Sequence, residues 1–288
     1  MNRELAFEGA LIFYLNWYII YVCNLKNYFY GDKNMSKGKL PDLLQFVPNM
    51  EIAENYLKNN FFLKDILCYN KINDSKNLKY DNDEGAMLYG KLEPYTCFIS
   101  CFTILNPSFF YEKGGLKKTV IDGLNPGNVN KDGEYIERPF ITISSKNFLK
   151  IIFTLQKVIS DYFTKQKIIN SGLVTRGVEY LEDNDYDKVA FKCGEKMDKL
   201  PHVCLGNKQT SVVTKFDKQQ RETYEECMKL LCYTKREFFY TQNEYRFMIV
   251  LYSGKINNSE LEIPIPDLHD YVKVHKYSDI HKITKNDL

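Results

Sequence analysis

Hydrophobic and polar positions alternate most regularly over residues 244–251, near the end of the chain. Successive side chains of an extended strand point to opposite faces, so Glu244, Arg246 and Met248 share one face. The other face carries Tyr245, Phe247, Ile249 and Leu251. Charges on a core strand are costly unless they are paired or used in chemistry. The pattern therefore predicts a core strand whose charged pair is either structural or catalytic.

Other stretches also have strand patterns. An apolar run over residues 95–102 is followed by an Asn-Pro step, which ends a strand. Residues 138–145 and 173–181 alternate in the same way, and residues 261–265 predict a last strand. The sequence therefore predicts several strands distributed through the second two thirds of the chain.

Apolar residues at helical spacing predict helices over residues 40–67, 146–165 and 219–231. Ser144 or Ser145 is well placed to cap the second of these helices. The acidic residues between 182 and 187 predict a solvated turn, because they lack the glycine and the terminal glutamate of a calcium loop.

Strands and helices follow one another without a regular βαβ alternation. This order favours an α+β fold with a mixed, partly antiparallel sheet and flanking helices. A chain of 288 residues is long enough for a single large domain. We expect a mainly helical N-terminal portion over residues 1–85 and an α+β domain over residues 86–288 that carries the candidate site, either separate or continuous.

Charge and composition narrow the function classes. The chain has 39 Lys and Arg against 37 Asp and Glu. Because no large excess of positive charge is available to hold a polyanion, generic nucleic-acid binding is not indicated. The aromatic content of 15% spreads along the whole chain, which indicates a folded globule rather than disorder.

Eight cysteines occur at irregular intervals, without a Cys-x-x-Cys pair and with only four histidines. This spacing does not suit a structural zinc site, so no metal is predicted. We expect reduced thiols, most of them buried, in a cytoplasmic protein.

The apolar segment over residues 10–23 is the one candidate for a transmembrane helix in the sequence. Asn16 interrupts it, Glu8 and Lys26 bound it, and a spanning helix needs about 20 mainly apolar residues. A buried helix or strand pair is the favoured interpretation, and a membrane anchor or a homodimer contact are the alternatives.

Several common catalytic signatures are missing. The sequence has no phosphate-binding loop, no dinucleotide fingerprint, no zinc-protease helix motif and no Gly-x-Ser-x-Gly elbow. NTPases, zinc proteases and serine hydrolases of the usual kinds are therefore not indicated.

Several segments follow one another in a recognisable order along the chain, namely Cys97–Phe102, Phe140–Ile143, Gly177–Tyr180, Lys235, Phe239 and Gln242–Arg246. This order resembles that of the bacterial family known as domain of unknown function 2971. The resemblance covers about the last two thirds of the chain, and its most specific part is the aromatic-rich Glu-x-Arg strand. The chain departs from the family where Ser108-Phe109-Phe110-Tyr111 replaces a segment containing Met-Trp.

A second resemblance bears on chemistry. Gln242-Asn243-Glu244 is similar to the Gln-x-Glu motif of ADP-ribosyltransferase toxins, and residues 142–145 are similar to their Ser-Thr-Ser strand. The resemblance implies that Glu244 stabilises an oxocarbenium-like transition state while the glycosidic bond of NAD breaks. Gln242, two residues earlier and on the same side of an extended strand, would then orient a protein or nucleic-acid acceptor.

The same resemblance implies further site residues and a setting. Ser144 would support the catalytic carboxylate, and Ser145 would help to hold NAD. The early Arg or His with which that family grips the NAD phosphates has no counterpart in the matched motifs, and Arg138 or Arg176 is the candidate for this role by charge alone. The implied activity is an ADP-ribosyltransferase or NAD glycohydrolase that acts as an effector in a defence or toxin system.

Two other hypotheses compete with the enzyme. In the first, Glu244 is structural and pairs with Arg246, Lys235 or Arg236, and the serines only cap a helix. In the second, the chain is a non-enzymatic interaction module that dimerises or binds a partner through an aromatic surface. The enzyme hypothesis needs a serine, Glu244 and an arginine in one pocket, and a pairing of Glu244 with Lys235 counts against it.

Overall fold

The computed structural model describes residues 40–66, 68, 97–112, 114–124, 137–166, 168, 171–200, 217–251 and 256–284. The chain divides into two compact units, Met1–Pro41 and Asp42–Leu288. Only residues 40 and 41 of the first unit are described, so the fold given below is that of the second. The apolar segment 10–23 and the predicted boundary at residue 85 lie outside the described residues.

One sheet organises the described part of the chain, and all of its pairings are antiparallel. A separate pair of short strands, β6 (Glu179–Leu181) and β7 (Thr234–Arg236), is parallel. The eight strands of the large sheet are β1 (Leu43–Phe46), β2 (Asn60–Asp65), β3 (Cys97–Ile104), β4 (Phe140–Ile143), β5 (Ser171–Gly177), β8 (Glu244–Leu251), β9 (Glu260–Pro264) and β10 (Val272–His275).

Helices connect and cover these strands, which confirms the α+β class. Short 3₁₀ helices in the part of the chain that the structure describes cover Pro107–Phe109, Glu237–Gln242 and Tyr277–Lys282. The α-helices in the described residues are α1 (Met50–Leu57), α2 (Lys118–Leu124), α3 (Ser145–Lys165), α4 (Asp183–Asp198), α5 (Lys218–Tyr233) and α6 (Leu268–Tyr271).

Strand β3 lies at the branch point of the sheet. One of its edges pairs with β8 along almost its whole length. The other edge is shared by β1 near Ile104 and by β2 near Phe98, so two branches of the sheet leave it. A partly buried polar contact lies at the fork, where the Gln45 amide donates to Ser100 Oγ at 3.1 Å and the Tyr56 hydroxyl donates to Gln45 at 3.0 Å.

The two faces of β3 and β8 pack against different helices. Cys97, Ile99, Met248 and Val250 belong to a buried cluster with residues of α4 and α5. On the opposite face, the Phe148 ring of α3 lies 5.1 Å from that of Tyr245 and 6.4 Å from that of Phe247. Strand β8 is therefore covered on both sides, and all eight of its residues are buried.

Two expectations from the sequence are wrong. The predicted helix over residues 40–67 is a strand, a short helix and a second strand, because consecutive apolar residues at Leu43–Leu44 and Phe61–Leu63 fill a buried sheet. The predicted solvated turn at residues 182–187 is instead the first turn of α4, where acidic side chains are favourable near the positive end of the helix.

Other expectations are confirmed. The predicted helix at residues 146–165 is α3, and the predicted strand at the opening alternation is β8.

Among the described residues, no helix is both long and apolar enough to cross a membrane.

Candidate functional site

Strand β8 places two charges on the face that packs against α5. In the antiparallel register Glu244 lies opposite Thr103 and Arg246 opposite Cys101. Tyr245 and Phe247 point the other way, toward α3. The alternation predicted from the sequence is therefore confirmed, and it brings a carboxylate and a guanidinium into the covered side of the sheet.

Glu244 and Arg246 bind each other directly. Arg246 donates to Glu244 Oε2 through Nε at 2.9 Å and through Nη2 at 2.8 Å. Its Nη1 donates to the carbonyl of Cys232, at the end of α5, at 2.6 Å. The guanidinium is almost completely buried, so it ties β8 to α5 with charge-assisted hydrogen bonds.

Lys235 is the third member of this buried cluster. Helix α5 continues without a loop into β7. This strand places the Lys235 side chain beside Glu244, on the face of β8 that packs against α5. Lys235 Nζ donates to Glu244 Oε1 at 2.7 Å and to Gln242 Oε1 at 3.0 Å. It also lies 5.3 Å from the centre of the Phe239 ring. Both oxygens of the Glu244 carboxylate are thus bound by cations.

The electrostatics of Glu244 follow from these contacts. Burial by itself would raise the pKa of this carboxyl group. The charges and hydrogen bonds of Lys235 and Arg246 outweigh burial and lower the pKa from 4.5 to about 2. Glu244 is therefore an anion held between two cations across the whole physiological pH range.

Gln242 reaches the cluster by a route that the sequence did not predict. The resemblance placed it on the same extended strand as Glu244, but residues Glu237–Gln242 form a 3₁₀ helix. Asn243 then adopts a left-handed conformation with φ of 42°, and its side chain donates to the carbonyl of Ile104 at 2.8 Å. Gln242 and Glu244 meet only through Lys235.

The predicted serines lie elsewhere in the sheet. Thr142 is opposite Leu44, Leu44 is opposite Thr103, and Thr103 is opposite Glu244. Three strand spacings therefore separate the Thr142 strand from Glu244, which is roughly 14 Å. The structure does not bring Ser144 and Ser145, at the end of that strand, to the carboxylate.

The prediction that one of these serines caps α3 is correct for the position of Ser144 and wrong for its hydrogen bond. Ser144 occupies the N-cap position of α3, but its side chain makes no capping hydrogen bond and its Oγ is buried without a partner. The backbone N–H of Ser145 instead donates to Asp42 Oδ1 at 2.6 Å. An aspartate from the neighbouring strand region supplies the acceptor at this helix end.

The two arginines predicted to bind NAD have separate environments. Arg138 precedes β4, at the end of that strand opposite to Ser144, and donates to the carbonyls of Phe46 and Val47. Arg176 lies directly opposite Arg246 in the register of β5 and β8. Its guanidinium packs 5.3 Å above the Tyr233 ring. Of the predicted partners, only Gln242 and Arg176 thus lie near Glu244.

Arg236, directly after Lys235, forms a second cluster of contacts that the sequence did not predict. Because β6 and β7 are parallel, the elements that follow them, α4 and the 3₁₀ helix, begin at the same edge. Arg236 joins them by binding Asp183 at 3.2 Å and Asp187 at 2.9 Å. Its guanidinium also stacks 4.7 Å from the Tyr186 ring.

Three large aromatic side chains on the two elements that Arg236 joins are exposed to solvent. Phe191, Phe238 and Tyr240 are 65%, 70% and 50% exposed. Phe191 lies one turn after Asp187 on the same stripe of α4, and Phe238 follows Arg236 by two residues. We call Arg236, Phe191, Phe238 and Tyr240 the aromatic surface.

The described residues offer no group of three or more His, Cys, Asp or Glu side chains that could hold a metal ion. The cysteines among these residues form no disulfide bonds. Cys193 of α4 and Cys227 of α5 are hydrogen-bonded to each other, and burial raises the pKa of both. These thiols belong to the helix-covered core.

Comparison with known proteins adds no relative. No family model matches the chain, and neither a curated protein nor a solved structure matches it significantly. The resemblances to domain of unknown function 2971 and to ADP-ribosyltransferases stay predictions from the sequence.

Proposed function

We propose that this chain is a protein-interaction module whose aromatic surface binds a peptide segment of another protein. The observation that carries the proposal is the exposure of Phe191, Phe238 and Tyr240 around Arg236. Aromatic and arginine side chains are enriched in the central residues of protein interfaces, where they supply most of the binding energy. The three rings lie on α4 and on the 3₁₀ helix that begins beside Arg236, which binds α4, and exposed apolar patches are typical of contact surfaces.

The surface is held rigidly by its neighbours. Arg236 is fixed by two aspartates, and the Tyr240 ring meets that of Tyr180 edge to face at 5.6 Å. The Phe238 ring meets that of Phe239 in the same way at 5.2 Å, and Phe239 is buried. Side chains that are already ordered lose less conformational freedom on binding, so a preformed surface favours association.

The buried cluster of Lys235, Glu244 and Arg246 lies next to the aromatic surface and stabilises its position. Lys235 immediately precedes Arg236, and its bonds to Glu244 and Gln242 join both ends of the 3₁₀ helix to β8. In this account Glu244, Lys235 and Arg246 orient the aromatic surface and take no part in chemistry.

The hypothesis of ADP-ribosyl transfer has less support from the geometry. A carboxylate that stabilises a developing positive charge must face the reacting atoms. Both oxygens of Glu244 are bound by Lys235 and Arg246, and the predicted serines are three strands away. The pairing of Glu244 with Lys235 was the result that counts against catalysis.

Selection from a random peptide library displayed on phage tests the proposal. We expect peptides that bind the unaltered chain and are lost on Phe238→Ser or Tyr240→Ser. Phe153→Ser is the matched control, because Phe153 is also an exposed phenylalanine but lies on α3. If all selected peptides bind Phe238→Ser and Tyr240→Ser as well as the unaltered chain, the proposal is wrong.

A further inference from the structure

Resting on the proposed interaction through the aromatic surface, we infer that the partner segment is basic, with Lys or Arg beside its apolar contact residues. Charged residues lie at the same edge as Phe191, Phe238 and Tyr240. These charges favour one class of partner among the many peptides that an aromatic surface alone could bind.

The edge that carries the aromatic surface is acidic although the chain is not. Residues 179–192 and 236–242, which include all three exposed rings, contain six carboxylates and three cations, whereas the whole chain has a net charge of +2. The four carboxylates on α4 and before it are exposed, as are Glu179 and Glu237. A concentration of negative charge at one edge of a nearly neutral chain attracts cations to that edge.

Some of these carboxylates form ion pairs within the protein, and others lie at the surface beside the exposed rings. Asp183 and Asp187 fix Arg236, and Asp185 binds Lys188 at 2.7 Å. Arg236 offsets only one of its two aspartates. Glu182 is the N-cap of α4, and Glu237 is the first residue of the 3₁₀ helix, next to Phe238. The two exposed glutamates directly follow Leu181 and Arg236, which lie opposite each other in the pairing of β6 with β7, so both lie at the edge where the helix of Phe238 and Tyr240 begins. At that edge they would meet the charges of a bound segment.

The same charges argue against two other occupants. A second copy of the chain that used this surface against itself would place two acidic edges together, which is unfavourable. A nucleic acid would bring phosphates to the same edge and would be repelled. A basic segment with apolar side chains matches both the rings and the carboxylates.

The test uses the composition of the selected peptides and one charge variant. We expect peptides that depend on Phe238 to be enriched in Lys and Arg over Asp and Glu. We expect their affinity to fall about tenfold in Glu182→Gln/Glu237→Gln, because this variant loses two exposed ion pairs with the basic side chains of the peptide. Raising the salt concentration should weaken binding to the unaltered chain more than to this variant.

The matched control removes two exposed glutamates from another helix. Glu51→Gln/Glu54→Gln alters α1, which packs against β2 and β10, and should leave the affinity unchanged. Peptides that depend on Phe238 but show no enrichment in basic residues would overturn this inference and leave the interaction surface standing. A selection that yields no peptide dependent on Phe238 or Tyr240 would overturn both.

Discussion

Lys235 Nζ lies 2.7 Å from Glu244 Oε1, and the two side chains are only 4% and 11% exposed. Arg246 holds the other carboxylate oxygen at 2.8 Å. A single anion thus joins β7, the strand after α5, to the central strand β8. The 3₁₀ helix that carries Phe238 and Tyr240 connects these two strands. The contact explains why a glutamate and an arginine occur two residues apart on a core strand.

Glu244→Gln should lower the free energy of unfolding by about 3–5 kcal/mol, because it leaves two buried cations without their anion. Chemical denaturation monitored by circular dichroism measures this change. In a double-mutant cycle with Lys235→Met, the double variant should lose at least about 1 kcal/mol less than the sum of the two single variants.

Glu237→Gln is the control for this cycle, since it removes an exposed carboxylate from the adjacent turn. It should change the stability by no more than about 0.5 kcal/mol. A Glu244→Gln variant as stable as this control would contradict the account of the buried cluster.

The pH dependence of stability should carry the signature of Glu244. Its pKa is lowered in the folded state from 4.5 to about 2 by Lys235 and Arg246, against the effect of burial. The unfolded chain therefore binds a proton first as the pH falls, so the stabilisation is fully present above about pH 5 and is lost as the pH approaches about 2. The loss is on the order of 2–3 kcal/mol.

Denaturation midpoints measured across this pH range test the assignment. The difference in stability between the unaltered chain and Glu244→Gln should shrink as the pH falls. A difference that stays constant from pH 5 to about pH 2 would mean that Glu244 is not the group responsible.

The sequence predicted the parts of this site that depend on local periodicity. The alternation over residues 244–251 gave the face shared by Glu244 and Arg246, and apolar spacing gave α3. It could not give the position of Lys235, because that depends on the parallel pairing of β6 with β7, whose residues are far apart along the chain.

Other misses have a similar physical origin. The acidic run at residues 182–187 looked like a turn because Asp and Asn favour loops, yet the same residues are favourable at a helix N-terminus. The motif Gln242-Asn243-Glu244 looked extended, but Asn243 tolerates a left-handed conformation that ends the 3₁₀ helix.

Purified protein incubated with NAD and a cell lysate should release no nicotinamide above the protein-free background. The expectation follows from the occupied carboxylate of Glu244 and from the distance to Ser144. Liquid chromatography of the supernatant gives the measurement. Release that depends on the protein and disappears in Glu244→Asp, a variant that keeps the charge, would revive the transferase hypothesis.

The thiols of Cys193 and Cys227 should react slowly with a thiol reagent in the native protein. Both are buried, and burial raises the pKa of Cys193 to about 12, so little thiolate forms. Cys68 is half-buried and should react first. Mass spectrometry of peptides after timed labelling gives the rates, and labelling in denaturant serves as the control. Equal native rates for Cys193 and Cys68 would contradict the described packing.

The affinity of one selected peptide for three forms of the chain tests the central claim most directly. Isothermal titration should show that Phe238→Ser weakens binding by about 2 kcal/mol, or roughly thirtyfold, as expected for an exposed aromatic side chain at the centre of an interface. Phe153→Ser should bind the peptide as tightly as the unaltered chain. Equal affinity of Phe238→Ser and Phe153→Ser would show that the aromatic surface is not the binding site.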